Sequence, residues 1–105
     1  MEQQTMLEQQ EQQVLNLLKE VIDPELGINI IDLGLVYTIE AREENIAVEM
    51  TLTTKGCPMG GAIMEEVNQK LTNAFPHKQM AVTLVWDPLW SPDQITEEGM
   101  RMLGW

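Results

Sequence analysis

The chain has 105 residues, enough for one domain with a modest core and too few for a second. Seventeen acidic residues against six basic ones leave a net charge of −11. Such a surface repels phosphate backbones and anionic lipid, which argues against nucleic-acid binding and membrane docking. The single cysteine excludes an internal disulfide, no apolar run approaches the roughly 20 residues that span a bilayer, and no basic-plus-apolar leader opens the chain. A cytoplasmic protein with a reduced thiol is expected.

Met1 to Gln13 is rich in Gln and Glu and reads as a polar, partly frayed extension ahead of a domain running from Val14 to the C-terminus. Thr5-Met6-Leu7-Glu8 nevertheless has capping-box spacing, which would let a helix start early. From Val14 the pattern is helical, with Leu15, Leu18, Val21 and Ile22 on one side. Pro24 holds Asp23 out of helical geometry and is expected to end the helix near Ile22. Asp23 to Gly34 is a loop, but Ile28, Ile30, Ile31 and Leu33 make it apolar enough to pack against the domain.

Leu35 to Ile39 reads as a strand with Leu35, Tyr37 and Ile39 on one face. After a polar turn at Arg42–Asn45, Ile46, Val48, Met50 and Leu52 alternate with Ala47, Glu49, Thr51 and Thr53 as a second, half-buried strand. The pair predicts an antiparallel hairpin. Gly60, Ile63, Met64, Val67, Leu71 and Phe75 form the stripe of a helix from about Pro58 to Ala74, stopped by Pro76. Met80, Val82, Leu84 and Trp86 mark a third strand, and Asp87-Pro88 and Ser91-Pro92 mark turns after it. In the tail either Ser91 or Thr96 caps a helix whose inward residues would be Ile95, Met102 and Leu103, with Gly99 weakening it.

The order helix, strand, strand, helix, strand, helix predicts a two-layer α+β domain: a three-stranded mixed sheet with helices packed on one face. The helical link between the second and third strands lets them run parallel.

Chemistry concentrates at Thr53-Thr54-Lys55-Gly56-Cys57-Pro58, where an apolar helix pattern begins. Proline fits a first helical turn, so Cys57 is expected at a helix N-terminus, where free N–H groups and the helix dipole favour a thiolate. A lone cysteine is also a good small buried hydrophobe, and residue type alone leaves both readings open. Thr53 and Thr54 would orient the thiol or simply end a strand, and Gly56 and Pro58 shape its turn. Asp23 and Glu25 place two carboxylates on a rigid bend, with Asp23 able to brace that bend and Glu25 able to meet a hard metal ion. Asp32 is suited to bonding loop N–H groups. His77, beside a helix-ending proline, reads as a solvated loop residue. No His/Cys spacing fits a zinc finger. Met50, Met64 and Met80 sit at core spacing, Trp86 continues the inward strand face, and Trp90 reads as a lid on the core or an exposed partner anchor.

Four stretches, in this order, resemble the small iron–sulfur cluster assembly domain family, which includes PaaD-like and SufT-type bacterial proteins and a eukaryotic cytosolic targeting adaptor. They are Val21-Ile22-Asp23-Pro24-Glu25-Leu26-Gly27, Asp32-Leu33-Gly34-Leu35-Val36-Tyr37, Met50 to Thr54 leading into Gly56-Cys57-Pro58, and Asp87-Pro88-Leu89-Trp90-Ser91-Pro92. The resemblance implies the same α+β fold and a role in maturing iron–sulfur proteins. The expected partners are assembly machinery and client apo-proteins, with Cys57 as the reactive or metal-contacting group. A cluster takes four ligands, so one cysteine would handle it, or iron, only transiently. A homodimer, a small thiol, Glu25 or a client cysteine would complete the shell. An adaptor with an inert thiol and a cysteine-dependent enzyme are the competing readings, the latter lacking an obvious base or resolving thiol.

Overall fold

In this computed structural model, described over residues 2–53 and 60–104, three strands form one sheet in the order β1 (Val36–Ala41), β2 (Asn45–Met50), β3 (Gln79–Leu84). β1 and β2 are antiparallel, with Ile39 opposite Val48 and Ala41 opposite Ile46. β2 and β3 are parallel, with Ile46 beside Met80, Val48 beside Val82 and Met50 beside Leu84. Those residues face the helices, while Thr38, Glu40, Glu49 and Thr83 are exposed on the opposite face. This is the predicted mixed sheet and element order.

Helix α1 (Glu2–Leu18) packs along β1, and α2 (Gly60–Ala74) packs along β3 and against α1. Val14, Leu18, Ile63, Val67 and Leu71 close the core over Ile46, Val48 and Met50. Burying each such side chain is worth about 1.5–3 kcal/mol. The methionines behave as expected: Met50 is buried, and Met64 and Met80 pack partly buried against the core.

Four expectations need correction. α1 starts at Glu2, inside the stretch read as a frayed extension; Leu7 packs on the core and the Glu11 carboxylate accepts the Ala41 N–H at 2.9 Å. The helix also stops at Leu18 rather than near Ile22. Val21 and Asp23 instead exchange backbone hydrogen bonds with Ile30 and Ile28, and Ile22 is left 46% exposed. β1 begins one residue later than Leu35 and carries an irregularity between Val36 and Thr38, so Leu35, Tyr37 and Ile39 do not share one face. Met102, expected inward, is 52% exposed and Met100 packs in its place, while Ile95 and Leu103 pack inward as expected.

α3 (Glu97–Leu103) is capped by Thr96, whose hydroxyl accepts the Gly99 N–H at 3.0 Å. It follows a 3-10 turn at Pro92–Gln94 and lies on the loop ahead of β1 rather than on the sheet. Gly99 permits that contact, because a Cβ there would stand 2.8 Å from the Asp32 carbonyl oxygen.

Candidate functional site

Past the strand ends lie the loop ahead of β1, the segment from Thr51 to Thr53 and Trp90. Here the loop from residue 19 to residue 34 folds as a small hairpin. Asp23 N–H bonds the Ile28 carbonyl at 2.9 Å, the Ile30 N–H bonds that of Val21 at 3.0 Å, and Ile22 bridges Asn29. Gly27, at φ +76, turns the hairpin. Ile28, Ile30 and Leu33 anchor it in the core.

Asp23 is 2% exposed and braces this turn. Its Oδ1 accepts the N–H groups of Glu25 at 2.8 Å and Leu26 at 3.3 Å, while its carbonyl accepts that of Gly27 at 2.8 Å. Pro24 lacks an N–H, so an aspartate ahead of it is well placed to reach the next donors. Glu25 is exposed on the same bend.

Asp32 meets one N–H donor of the loop, the Asn29 side chain, as expected of it. It ties the loop to α3: Oδ2 accepts the Asn29 side-chain amide at 2.7 Å, Oδ1 accepts the Thr96 hydroxyl at 2.8 Å, and the Asp32 carbonyl accepts the Thr96 N–H at 2.9 Å. Asn29 in turn accepts the Asp32 N–H at 2.8 Å. The Asn29 role was missed by inspection; its signal is an amide three residues before a carboxylate in a loop, the spacing of a side-chain-closed turn.

Trp90 is half-buried against the core, and its indole N–H donates to the Leu33 carbonyl at 2.7 Å. That is the lid geometry, with the polar edge of the ring spent internally. Its neighbour Leu89 is 65% exposed. Tyr37 reaches from β1 to the turn after β3, donating from its hydroxyl to the Pro88 carbonyl at 2.8 Å. Trp86 is half-buried, as expected of an inward residue.

Backbone bonds carry the chain past β2: Thr51 N–H to the Leu35 carbonyl and Val85 N–H to that of Met50, both at 2.8 Å. The Thr51 side chain is fully buried and, among the described residues, its hydroxyl has no hydrogen-bond partner. Leu52 is buried against Gly60 at the first turn of α2, and Thr53 is half-buried. Cys57, Thr54, Gly56 and Pro58 lie outside the described residues. Among the described residues no hydrogen bond links Thr53 to Asp23 or Glu25, and no three His, Asp or Glu side chains converge to hold a metal ion. His77 is exposed, as read, and lines a surface groove with Glu44, Asn45 and Gln79. No helix among the described residues is long and apolar enough to cross a membrane.

Comparison with known proteins extends the picture. The profile described as iron–sulfur cluster assembly protein matches residues 11–84. The Fe-S protein maturation auxiliary factor SufT of Staphylococcus aureus is 42% identical over 85 residues, which is 80% of this chain and 97% of that one. The Fe-S protein maturation auxiliary factor YitW of Bacillus subtilis is 37% identical over 92 residues, 87% of this chain and 90% of that one. The crystal structure of a domain of unknown function from Bacillus anthracis superposes with a TM-score of 0.88 at 38% identity, covering 95% of this chain and 96% of that one.

Proposed function

Because the chain belongs to the iron–sulfur cluster assembly protein family, we propose that it is an auxiliary factor in the maturation of iron–sulfur proteins, acting through protein contacts and the thiol of Cys57. The observation that carries this reading is the family match over residues 11–84, a span that contains the Asp23 turn and Cys57. The near-full-length relatives bearing auxiliary maturation factor names support it.

In this reading an iron–sulfur cluster is cargo, not a resident cofactor. A cluster takes four ligands, usually thiolates, and this chain has one cysteine to give. The remaining ligands come from the donor, the client or a small thiol. That arrangement favours transfer, because ligands not tied to one chain can be replaced one at a time. The factor turns over no small substrate, and its partners are the assembly machinery and apo-clients. The Asp23 carboxylate, already accepting two N–H groups, shapes the bend, and Glu25 is the carboxylate on that bend left exposed to meet iron.

Replacing Cys57 by Ala in cells tests the proposal. Cluster-dependent enzyme activities are expected to fall to the level of cells lacking the protein, while the variant accumulates normally. Full activity in those cells would overturn the thiol-centred part. In parallel, anaerobic incubation with iron and sulfide is expected to give the wild-type protein visible absorption that Cys57→Ala does not acquire. A colourless wild type would exclude direct carriage.

A further inference from the structure

The outer edge of β1 is closed at one end and open at the other. Across the β1–β2 hairpin the Arg42 N–H bonds the Asn45 carbonyl at 2.8 Å. In an antiparallel pair, residues alternate between turning their backbone groups to the partner strand and turning them outward. Counting back through the register, Arg42, Glu40 and Thr38 face β2, whereas Ala41 and Ile39 face away. The outward Ala41 N–H is taken by Glu11 of α1 at 2.9 Å. Among the described residues Ile39 has no such cap. An uncapped edge is a ready template for another strand.

Two grooves meet at that open stretch, and Val36, Tyr37 and Thr38 line both. On the exposed face of the sheet a groove of about 610 Å³ continues past Glu49 to Asp87, with Val85 and Pro88 in its wall. On the helix side a smaller one, about 160 Å³, is walled by Leu15, Ile31 and Ile39. A strand added to this edge sends alternate side chains to opposite faces of the sheet. One would enter each groove. The smaller groove offers only aliphatic wall beyond the shared residues, and Glu49 and Asp87, both exposed, set a negative field at the larger one.

We propose that the edge of β1 between Val36 and Ile39 receives an extended segment of a partner protein that alternates an apolar with a basic side chain. Charge also argues against a second copy of this chain as the occupant: two molecules each carrying a net −11 repel. Such a docking strand gives a maturation factor a way to hold a client or an assembly protein, and it leans on no property of Cys57.

The test is titration of the isotopically labelled full chain with a short synthetic peptide alternating lysine and valine, followed by amide NMR. Shifts are expected at Val36–Ile39, and Asp87→Lys should weaken binding about tenfold. The same peptide N-methylated along one edge keeps its charge but loses its strand donors, and is expected to bind far more weakly. Equal binding of the methylated peptide would reduce the contact to bulk attraction and overturn the proposal. Shifts at Gln79–Leu84 in place of β1, or a dimer in sedimentation that the peptide does not dissociate, would overturn it as well. None of these readouts depends on cluster chemistry, so this proposal and the one for Cys57 fail separately.

Discussion

Asp32 accepts a hydrogen bond from the Thr96 hydroxyl at 2.8 Å, joining residues 64 positions apart. Its other carboxylate oxygen holds Asn29 at 2.7 Å. This one side chain, 8% exposed, therefore fixes the hairpin loop ahead of β1 to the cap of α3. Removing it strands the buried Asn29 amide without its acceptor and cuts the loop from the exposed Thr96 hydroxyl. Asp32→Ala should cost about 2–4 kcal/mol, read as a lower urea midpoint. A loss below about 0.5 kcal/mol would mean that water replaces the carboxylate and that the tie is incidental.

Gly34 and Gly27 share a left-handed backbone, at φ +77 and +76, but differ in surroundings. A Cβ on Gly34 would stand 2.3 Å from the Gln94 carbonyl oxygen, whereas one on Gly27 meets nothing within 4 Å. Gly27→Ala should lose about 1 kcal/mol for the backbone alone. Gly34→Ala adds a backbone collision and should lose at least about twice that, or fail to fold. Equal losses at the two sites would show that the 3-10 turn moves aside freely.

Gly99 reverses the usual expectation for a helix. In an exposed helix, Gly→Ala gains up to about 1 kcal/mol. Here the new Cβ would stand 2.8 Å from both the Asp32 carbonyl oxygen and Ile95 Cγ2. Gly99→Ala should therefore lower the thermal midpoint. A raised midpoint would mean that α3 is not seated against the loop in solution.

Much of this was open to inspection of the chain because several patterns agree with their surroundings. β2 shows strict alternation, and its inward residues Ile46, Val48 and Met50 are all fully buried. The α2 stripe is equally plain in Ile63, Val67 and Leu71. The first turns of α1 are hard to read because Gln and Glu favour helix without forming an apolar stripe; before Val14 only Leu7 packs on the core. Pro24, a strong local stop, predicts an end near Ile22, yet Ile30 captures the Val21 carbonyl and the helix ends at Leu18. Simple alternation misplaces Tyr37, because a local irregularity in β1 breaks the period of two. At the site, the Asp23 brace was legible from Asp-Pro. The Asp32–Thr96 tie was not, since no local pattern announces a contact across most of the chain.

Trp90 separates packing from recognition. Its indole N–H is bound to the Leu33 carbonyl at 2.7 Å and the ring packs on the core. Trp90→Phe keeps most of the apolar area but strands that carbonyl, which should cost about 1–2 kcal/mol in urea unfolding. Leu89→Ala, at a side chain 65% exposed, should change stability by less than about 0.5 kcal/mol. If Trp90→Phe were neutral for stability yet impaired partner capture, the indole would be an anchor rather than a lid.

Asp23→Asn tells a structural carboxylate from a chemical one. The asparagine oxygen can accept the Glu25 and Leu26 N–H groups that Asp23 Oδ1 accepts at 2.8 and 3.3 Å, so the turn keeps its brace. Asp23→Ala removes that acceptor and should lose about 1–2 kcal/mol. If Asp23 only shapes the bend, Asp23→Asn supports iron–sulfur enzyme maturation in cells as the wild type does, while Asp23→Ala loses activity only as far as its stability falls. A stable Asp23→Asn protein that fails in maturation would show that the carboxylate itself is needed, as a metal contact or as a charge read by a partner. Glu25→Gln then discriminates further: the side chain is exposed, so a maturation defect there without a shift in urea midpoint would assign chemistry to the bend.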